Sequence, residues 1–233
     1  MIVEREILCF QGGKTERCRD KIAVEEEYEL YINGSRMASY MCSPNNIEEL
    51  AYGFLAERGL KPKSPTQISI ENGKIKVDGD LVEVVFTRVE ARFPVEKIIS
   101  AVEALYTRGS AFRETGAFHG ALCFMPSGEV LFHVEDVSRH CAVDKCIGFL
   151  AKSSIEPSTV GFAVSCRLTK SIVEKLASVG VRLVASKAAP TLQGIQVAEQ
   201  NGITLIGFAR NNRFNIYTHP ERIIFWPREG AQL

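Results

Sequence analysis

The sequence predicts an α/β fold whose C-terminal part has three layers, with helices covering both faces of a parallel sheet. Three apolar runs, each of the length of a buried strand, alternate with two segments whose apolar residues recur at helical spacing. The apolar runs are residues 160–165, 181–185 and 203–208, and the helical segments are residues 169–179 and 190–200. Such alternation is typical of parallel strands joined by right-handed crossover helices.

The N-terminal part predicts a smaller α+β domain, because it mixes short strands and tight turns with one helix. Residues 28–32 alternate between apolar and polar side chains and run into Asn33-Gly34, a strong hairpin turn. Ser43 is expected to cap the following helix, with Pro44 at its first position. Residues 61–88 are expected to form further strands.

We expect the boundary between the two parts near Arg92–Pro94, which gives domains at residues 1–93 and 94–233. The other elements of the second domain are predicted as a helix at 94–107, a hairpin at 119–134, a helix at 138–152 and an edge strand at 214–217.

Charge and hydropathy exclude two broad classes of protein. The 233 residues contain 28 Lys plus Arg and 28 Asp plus Glu, so neither a polycationic coat for nucleic acid nor a polybasic membrane arm is the dominant design. No apolar run approaches the roughly 18 residues of a membrane-spanning helix, and charges interrupt the first ten residues. We therefore expect a cytoplasmic protein with no nucleic-acid or membrane partner.

The cysteines point away from a structural metal site. There are seven of them, an odd number, and no CxxC occurs, so a zinc knuckle or a thioredoxin-type motif has no support. The default expectation for each cysteine is a small, buried, inert side chain.

Cationic side chains follow the predicted parallel strands. Arg167, Lys187, Arg210 and Arg213 all come shortly after the apolar runs, and the carboxyl ends of parallel strands meet at one edge of a sheet, where ligands bind. Two of these segments also open onto a helix N-terminus, which favours anions. The pattern suits a phosphorylated small molecule. The alternative is that these are ordinary solvated loop charges.

A second candidate cluster lies at the start of the 138–152 helix. His140 and Asp144 are four residues apart and should share the face opposite the apolar stripe, where the carboxylate would orient the imidazole; the alternative is a merely solvated pair. Cys141 lies in the first helical turn, next to His140 and four residues before Lys145, all of which would lower a thiol pKa unless the thiol is buried. The zinc-deaminase pattern, HxE with PCxxC, is absent, and we expect no metal.

At these residues the sequence resembles the formate dehydrogenase accessory (sulfur carrier) family, over about residues 25–223. The motifs that carry the resemblance are Met41-Cys42-Ser43-Pro44, Thr115-Gly116 with His119, Glu135-Asp136-Val137-Ser138-Arg139-His140 with Ala142-Val143-Asp144-Lys145, Ala189-Pro190-Thr191, residues 202–210, and Tyr217-Thr218.

The resemblance implies a sulfurtransferase-type accessory protein on a cytidine-deaminase-like fold without zinc, acting as a homodimer. Such proteins take sulfur from a cysteine desulfurase as a persulfide. They pass it to a molybdenum (or tungsten) bis-pterin guanine dinucleotide cofactor before that cofactor enters formate dehydrogenase, so GDP should mimic the ligand. The family's cofactor segment corresponds to Phe208, Ala209, Arg210, Asn211, Asn212 and Arg213, and we expect His119, Arg139, His140, Asp144, Arg167 and Lys187 to complete the site.

The chain departs from the family in its cysteines. The family's sulfur-carrying CxxC lies upstream of the Thr-Gly motif, whereas residues 86–94 are short and contain no cysteine. Ser138 stands where the family has Gly, Cys141 where it often has Asn, and Cys166 where Gly or Ser is usual. Cofactor binding should therefore carry over better than sulfur transfer, and loss of transfer is the favoured expectation.

If another cysteine has replaced the CxxC, Cys141 ranks first and Cys166 is the other candidate near the cleft. Cys9 and Cys18, on a mobile N-terminus, could swing inward, and Cys123 and Cys146 are expected to be inert. Two other functions stay open: a divergent scaffold that binds the desulfurase or the dehydrogenase without handling cofactor, and a nucleotide-binding enzyme on the deaminase-like fold, which the missing zinc motif disfavours.

Overall fold

The computed structural model describes residues 1–225. Its first part contains eight strands and one helix: β1 (Ile2–Gln11), β2 (Lys14–Ala23), β3 (Glu26–Ile32), β4 (Ser35–Cys42), α1 (Ile47–Ala56), β5 (Leu60–Pro62), β6 (Ile68–Glu71), β7 (Lys74–Val77) and β8 (Leu81–Glu83). The second part contains β9 (Phe93–Pro94), α2 (Val95–Arg108), α3 (Ala111–Thr115), β10 (His119–Phe124), β11 (Val130–Asp136), α4 (Arg139–Lys152), β12 (Gly161–Val164), α5 (Lys170–Ser178), β13 (Leu183–Ser186), α6 (Leu192–Gln200), β14 (Thr204–Arg210), β15 (Arg213–Thr218) and β16 (Ile223–Ile224).

The centre of the second part is a six-stranded sheet in the order β11-β10-β12-β13-β14-β15. Strands β12, β13 and β14 are parallel, and each is joined to the next by one helix. The predicted α/β class, the crossover connections and the edge strand are therefore confirmed. Strand β15 pairs with β14 in the antiparallel sense, because a tight turn joins them in place of a helix.

Helices cover both faces of this sheet. Successive residues of β10 alternate between the two cores: Leu122 and Phe124 pack with α2, whereas Ala121 and Cys123 pack with α4 and α5. All four side chains are essentially inaccessible to solvent. Burial on both faces explains why the central strands β12, β13 and β14 are largely apolar and show no alternation with polar residues.

The first part is a four-stranded sheet, β4-β3-β7-β6, covered by α1. The predicted turn at Asn33-Gly34 is confirmed, with φ of 45° and 79°. Helix α1 packs closely on α4 through two glycines: a Cβ on Gly148 would collide with the backbone of Glu49, and a Cβ on Gly53 with the backbone of Asp144. The sequence-predicted boundary between residues 1–93 and 94–233 stays a prediction.

Two expectations about the first part are wrong. Ser43 does not cap α1, which begins at Ile47 after Asn46, because Ser43 is buried against the second part: its hydroxyl accepts a hydrogen bond from Val137 N–H (3.1 Å) and its N–H donates to Asp136 Oδ1 (3.2 Å). Tertiary partners therefore replace the local cap.

The N-terminus is not a loose segment either. Strands β1 and β2 form a two-stranded antiparallel ribbon with ten residue pairs, and a disulfide joins Cys9 to Cys18, whose Cα atoms are 6.1 Å apart. The default of an inert buried side chain is thus wrong for these two cysteines. For the other five cysteines the expected burial is confirmed; these are Cys42, Cys123, Cys141, Cys146 and Cys166. No helix within residues 1–225 is long and apolar enough to cross a bilayer.

Candidate functional site

The carboxyl edge of the six-stranded sheet gathers the predicted cationic segments. The Ser186 hydroxyl donates to the Cys166 carbonyl (2.8 Å), and the Phe208 N–H donates to the Ala188 carbonyl (3.2 Å). The segments after β12, β13 and β14 are therefore neighbours, as parallel strands require. Strand β10 is antiparallel to β12 and β11 is antiparallel to β10, so His119 at the start of β10 lies at the same edge, opposite Asp136.

Residues 208–213 form a hairpin at this edge, not the loop that the sequence predicts. Strand β14 continues to Arg210, which pairs with Arg213 across a turn made by Asn211 and Asn212 (φ 53° and 55°). Phe208 also has a positive φ, 54°, at the point where the β14–β15 register shifts. A bulge that holds an aromatic residue in the left-handed region is costly and is often found beside functional sites.

A cationic groove lies between this hairpin and α2. We call it the basic groove; its volume is about 220 Å³ and its lining residues are Val102, Glu103, Tyr106, Thr107, Lys187, Ala209, Arg210 and Asn211. The Lys187 ammonium lies 4.4 Å from the centre of the Tyr106 ring, which favours a cation–π contact. Burial raises the pKa of Tyr106 to about 12, so its phenol keeps a proton to donate at neutral pH.

A second cavity begins on the other side of Tyr106. This apolar pocket has a volume of about 280 Å³ and is lined by Leu105, Tyr106, Gly109, Phe112, Arg113, Phe118, His119, Gly120, Glu135 and Ser165. The Glu135 carboxylate fixes its wall by accepting the N–H groups of Ala111 and Phe112, each at 2.9 Å. Gly109 packs against this carboxylate, and a Cβ there would lie 2.7 Å from Glu135 Oε1, so the Glu135 side chain would have to shift.

The polar end of the apolar pocket contains His119 and Ser165. His119 Nδ1 lies 3.4 Å from Ser165 Oγ, and burial together with the charge of Arg139 lowers the pKa of His119, which leaves the imidazole neutral at pH 7. The buried Nε of Arg139 has no hydrogen-bond partner within residues 1–225. A buried donor without an acceptor is costly, and an anionic ligand would supply the acceptor.

The predicted His140–Asp144 pair is wrong. Helix α1 covers that face of α4, so Asp144 is 2% exposed and lies 2.8 Å from Lys175 Nζ, which also donates to Glu57 (2.7 Å). Burial and the neighbouring Glu57 carboxylate raise the pKa of Asp144. His140 instead lies 3.1 Å from Ser171 Oγ, and burial with the charges of Arg139 and Lys175 lowers its pKa.

The other predicted site residues divide between the two cavities and their surroundings. Lys187, Ala209, Arg210 and Asn211 line the basic groove and His119 lines the apolar pocket. Of the described chain, Phe208, Asn212, Arg213, Arg139, His140 and Arg167 line neither, although the strand ends place them all along the same edge. Among residues 1–225, no cluster of three or more metal-ligating side chains occurs.

Sequence reasoning missed the lining residues that α2 supplies, among them Glu103 and Tyr106, because that helix carries no motif. It used Lys145 only as a charge close to Cys141 and did not predict its burial. Lys145 is fully buried and pairs with Asp136, and it donates to the Ser43 carbonyl at 2.9 Å.

The model of the FdhD/NarQ family matches residues 23–85 and 72–224. The chain belongs to the FdhD/NarQ family. It is 36% identical to "Sulfur carrier protein FdhD" of Sulfolobus acidocaldarius, over 91% of this chain and 95% of that one, and 34% identical to "Protein FdhD" of Methanocaldococcus jannaschii, over 94% and 97%.

A solved structure agrees with this membership. The crystal structure of a protein described as a candidate formate dehydrogenase accessory protein, from Desulfotalea psychrophila, superposes with a TM-score of 0.85 at 25% identity, covering 96% of this chain and 99% of that one. The FdhD/NarQ fold thus extends over nearly the whole chain, including the edge that holds the basic groove and the apolar pocket.

Proposed function

We propose that this FdhD/NarQ chain is an accessory protein of formate dehydrogenase maturation that binds a molybdenum (or tungsten) bis-pterin guanine dinucleotide at the carboxyl edge of its sheet. The observation that supports this best is the shared wall at Tyr106. It separates a groove with cations, Lys187 and Arg210, from an aromatic-lined pocket. A ligand with phosphates next to flat heterocycles matches that arrangement.

In this proposal each cavity takes one part of the ligand. Lys187 and Arg210 bind phosphate oxygens, and Glu103 and Asn211 on the same groove offer an acceptor and an amide for a base. The apolar pocket takes a ring between Phe112 and Phe118. A neutral imidazole has one donor and one acceptor nitrogen, and His119 Nδ1 already lies next to Ser165 Oγ. The other ring nitrogen, Nε2, is therefore left to make one hydrogen bond with that ring.

The CxxC that carries sulfur in the family has no counterpart in this chain. Residues 84–92 contain no cysteine, and they run along the opposite, amino-terminal edge of the sheet. Thr87 N–H donates to Glu156 (2.7 Å) and Val89 N–H to Ser158 (3.0 Å), both just before β12. Cofactor binding is therefore the part of the family function that we assign here, with a cysteine desulfurase and formate dehydrogenase as proposed protein partners.

A second candidate function is a scaffold that binds those proteins, or a second copy of this chain, without handling cofactor. The observation that favours it is the β1–β2 ribbon, on which Leu8 is 69% exposed and Phe10 is 75% exposed. Exposed large apolar side chains on a strand pair offer a surface for another chain.

Calorimetry with GDP separates the two functions. We expect heat of binding with the native chain and an affinity roughly ten-fold lower or worse for Lys187→Ala or Arg210→Ala, since a charged hydrogen bond contributes about 1.5–3 kcal/mol. Lys63→Ala, an exposed lysine of the first part, is the matched control and should bind as the native chain does. No heat with the native chain contradicts the cofactor proposal and leaves the scaffold.

A further inference from the structure

A third cavity lies at the amino-terminal edge of the six-stranded sheet, opposite the basic groove and the apolar pocket. It is formed where residues 84–88 pass the ends of α5 and α6, just before β13 and β14 begin. Its volume is about 370 Å³, larger than that of the basic groove. We call it the arginine groove, because its charged lining residues within the described chain are Arg88 and Arg182.

The segment that carries Arg88 is bonded to the chain just before β12. The Thr87 N–H and hydroxyl both donate to Glu156, at 2.7 and 2.8 Å. The Val89 N–H donates to the Ser158 hydroxyl (3.0 Å). Between these two contacts, the Arg88 guanidinium makes no hydrogen bond or ion pair within residues 1–225. The backbone on both sides of Arg88 is thus engaged, while its cation is left for a ligand.

Arg182, the residue before β13, lines the same groove. Its Nη1 donates to the Asn201 carbonyl and so satisfies the end of α6. The end of α5 is satisfied by its own chain, since the Gly180 N–H donates to the Ala177 carbonyl (3.0 Å). In the described part of the chain the Arg182 guanidinium makes no further hydrogen bond, so its other N–H groups can bind a ligand.

A third arginine lies behind Arg182. Arg222 is 6% exposed, and its Nη1 lies 3.5 Å from Thr204 Oγ1. The Thr204 N–H in turn donates to the Arg182 carbonyl (2.7 Å). Glu90 and Glu221 each lie 3.5 Å from the Arg222 guanidinium and partly neutralise it. The buried Nε of Arg222 has no hydrogen-bond partner within residues 1–225.

The three guanidiniums repel one another. Burial, followed by the charges of Arg88 and Arg222, lowers the pKa of Arg182, whereas Glu90 acts in the opposite direction. An arginine keeps its proton at neutral pH even so, so the repulsion persists in the folded protein. An anion in the arginine groove would offset it.

We propose that the arginine groove binds the phosphate group of a small phosphate monoester between Arg88 and Arg182. Two guanidiniums offer paired N–H donors to the terminal oxygens of a phosphoryl dianion. The rest of the ester then contacts the apolar part of the lining, which includes Val84, Phe86 and Ala177. The proposal is independent of cofactor binding, because the groove shares no lining residue with the basic groove or the apolar pocket.

The experiment titrates the full chain with phenyl phosphate or inorganic phosphate and follows the arginine Nε–H signals by ¹⁵N NMR. The chain carries Lys187→Ala and Arg210→Ala throughout, so that the basic groove contributes little. At about pH 6.5, above the second pKa of a phosphate ester, the ester is mainly dianionic. The signals of Arg88 and Arg182 should shift together with a single dissociation constant. Phenyl phosphate should bind more tightly than inorganic phosphate, because its ring meets the apolar lining.

Two arginine variants and one control test the site. Arg88→Ala removes a cation with no partner in the described chain, so it should fold normally and bind phenyl phosphate roughly ten-fold more weakly or worse. Arg182→Lys keeps a charge near Asn201 but loses the paired donors, and it should also bind more weakly. Arg5→Ala, an exposed arginine of β1, is the matched control and should bind as its parent does.

Several results would overturn the inference. Arg88 and Arg182 signals that stay unmoved at about 10 mM phenyl phosphate, well above a millimolar dissociation constant, contradict it. Unchanged affinity in Arg88→Ala, or an equal loss in Arg5→Ala, does so as well. Equal affinities for the two compounds assign the groove to free phosphate and refute the ester. GDP calorimetry on the native chain tests the proposed function separately, so either proposal can fail while the other stands.

Discussion

Replacing the buried Lys145 by methionine should cost a large part of the stability of the protein. The ammonium pairs with Asp136, both side chains being 0% exposed, and also donates to the Ser43 carbonyl (2.9 Å) and to Asn45 Oδ1 (3.3 Å). Methionine fills similar space but leaves the Asp136 carboxylate buried without a countercharge. Its remaining donors would be the N–H groups of Ser43 and Ser138. Removing one partner of a buried pair costs about 3–5 kcal/mol, against a total stability of about 5–15 kcal/mol.

Urea unfolding followed by far-ultraviolet circular dichroism measures this cost. With a slope of about 3 kcal/mol per molar, the midpoint of Lys145→Met should fall by more than about 1 M. Lys152→Met is the matched control on the same helix: its pairs with Glu48 and Glu49 are partly exposed, so a loss below about 1 kcal/mol is expected. Adding Asp136→Asn to Lys145→Met should recover part of the loss. The reasoning is refuted if the two lysine variants unfold at the same urea concentration.

Three further predictions concern packing, protonation and backbone strain. Gly148→Ala should destabilise the protein by more than about 1 kcal/mol in the same assay, because its Cβ meets the backbone of Glu49; an unchanged midpoint contradicts the close approach of the two helices. The pKa of His119, measured from its imidazole proton shifts by NMR, should lie below 6.5 and should rise in Arg139→Ala, since burial and the Arg139 charge both lower it. Because the folded state keeps His119 neutral, this stability contribution is present above the unfolded-state pKa. It is lost as the pH falls from the unfolded-state pKa through the lower folded-state pKa. Phe208→Gly should stabilise the hairpin by up to about 1 kcal/mol by relieving the positive φ. Weaker GDP binding in the same variant would link that strain to the site. A loss of stability would show that the packing of the ring outweighs the strain.

Local patterns were sufficient for the elements of this fold. The β12–β14 runs are largely apolar, since both faces of each strand are mostly buried. Their alternation with helices then favours parallel strands joined by crossovers. Asn33-Gly34 likewise specifies its own turn, because both residues tolerate positive φ. Such features depend on neighbours in the sequence, which is why sequence reasoning reaches them.

Errors arose where a distant segment determined the environment of a residue. Ser43 has the local pattern of a helix cap, yet the end of β11 buries it. Asp144 has the local pattern of an exposed carboxylate, yet α1 covers it and it pairs with Lys175. The spacing around Cys141 predicts that its pKa is lowered but not the main cause, which is the thiol of Cys42 and not Lys145. The basic groove was found only in part for the same reason, because α2 supplies Tyr106 and Glu103.

The glycine contacts between α1 and α4 have a consequence for how variants of this protein will behave. Helix α4 begins with Arg139 and His140, so its position sets theirs, and that position is determined by how closely Gly53 and Gly148 let the two helices approach. A shift of a few tenths of an ångström at that contact would move both residues, although α1 lines neither the basic groove nor the apolar pocket. A screen of random variants for cofactor affinity should therefore return substitutions on α1, and those variants that still fold should bind poorly.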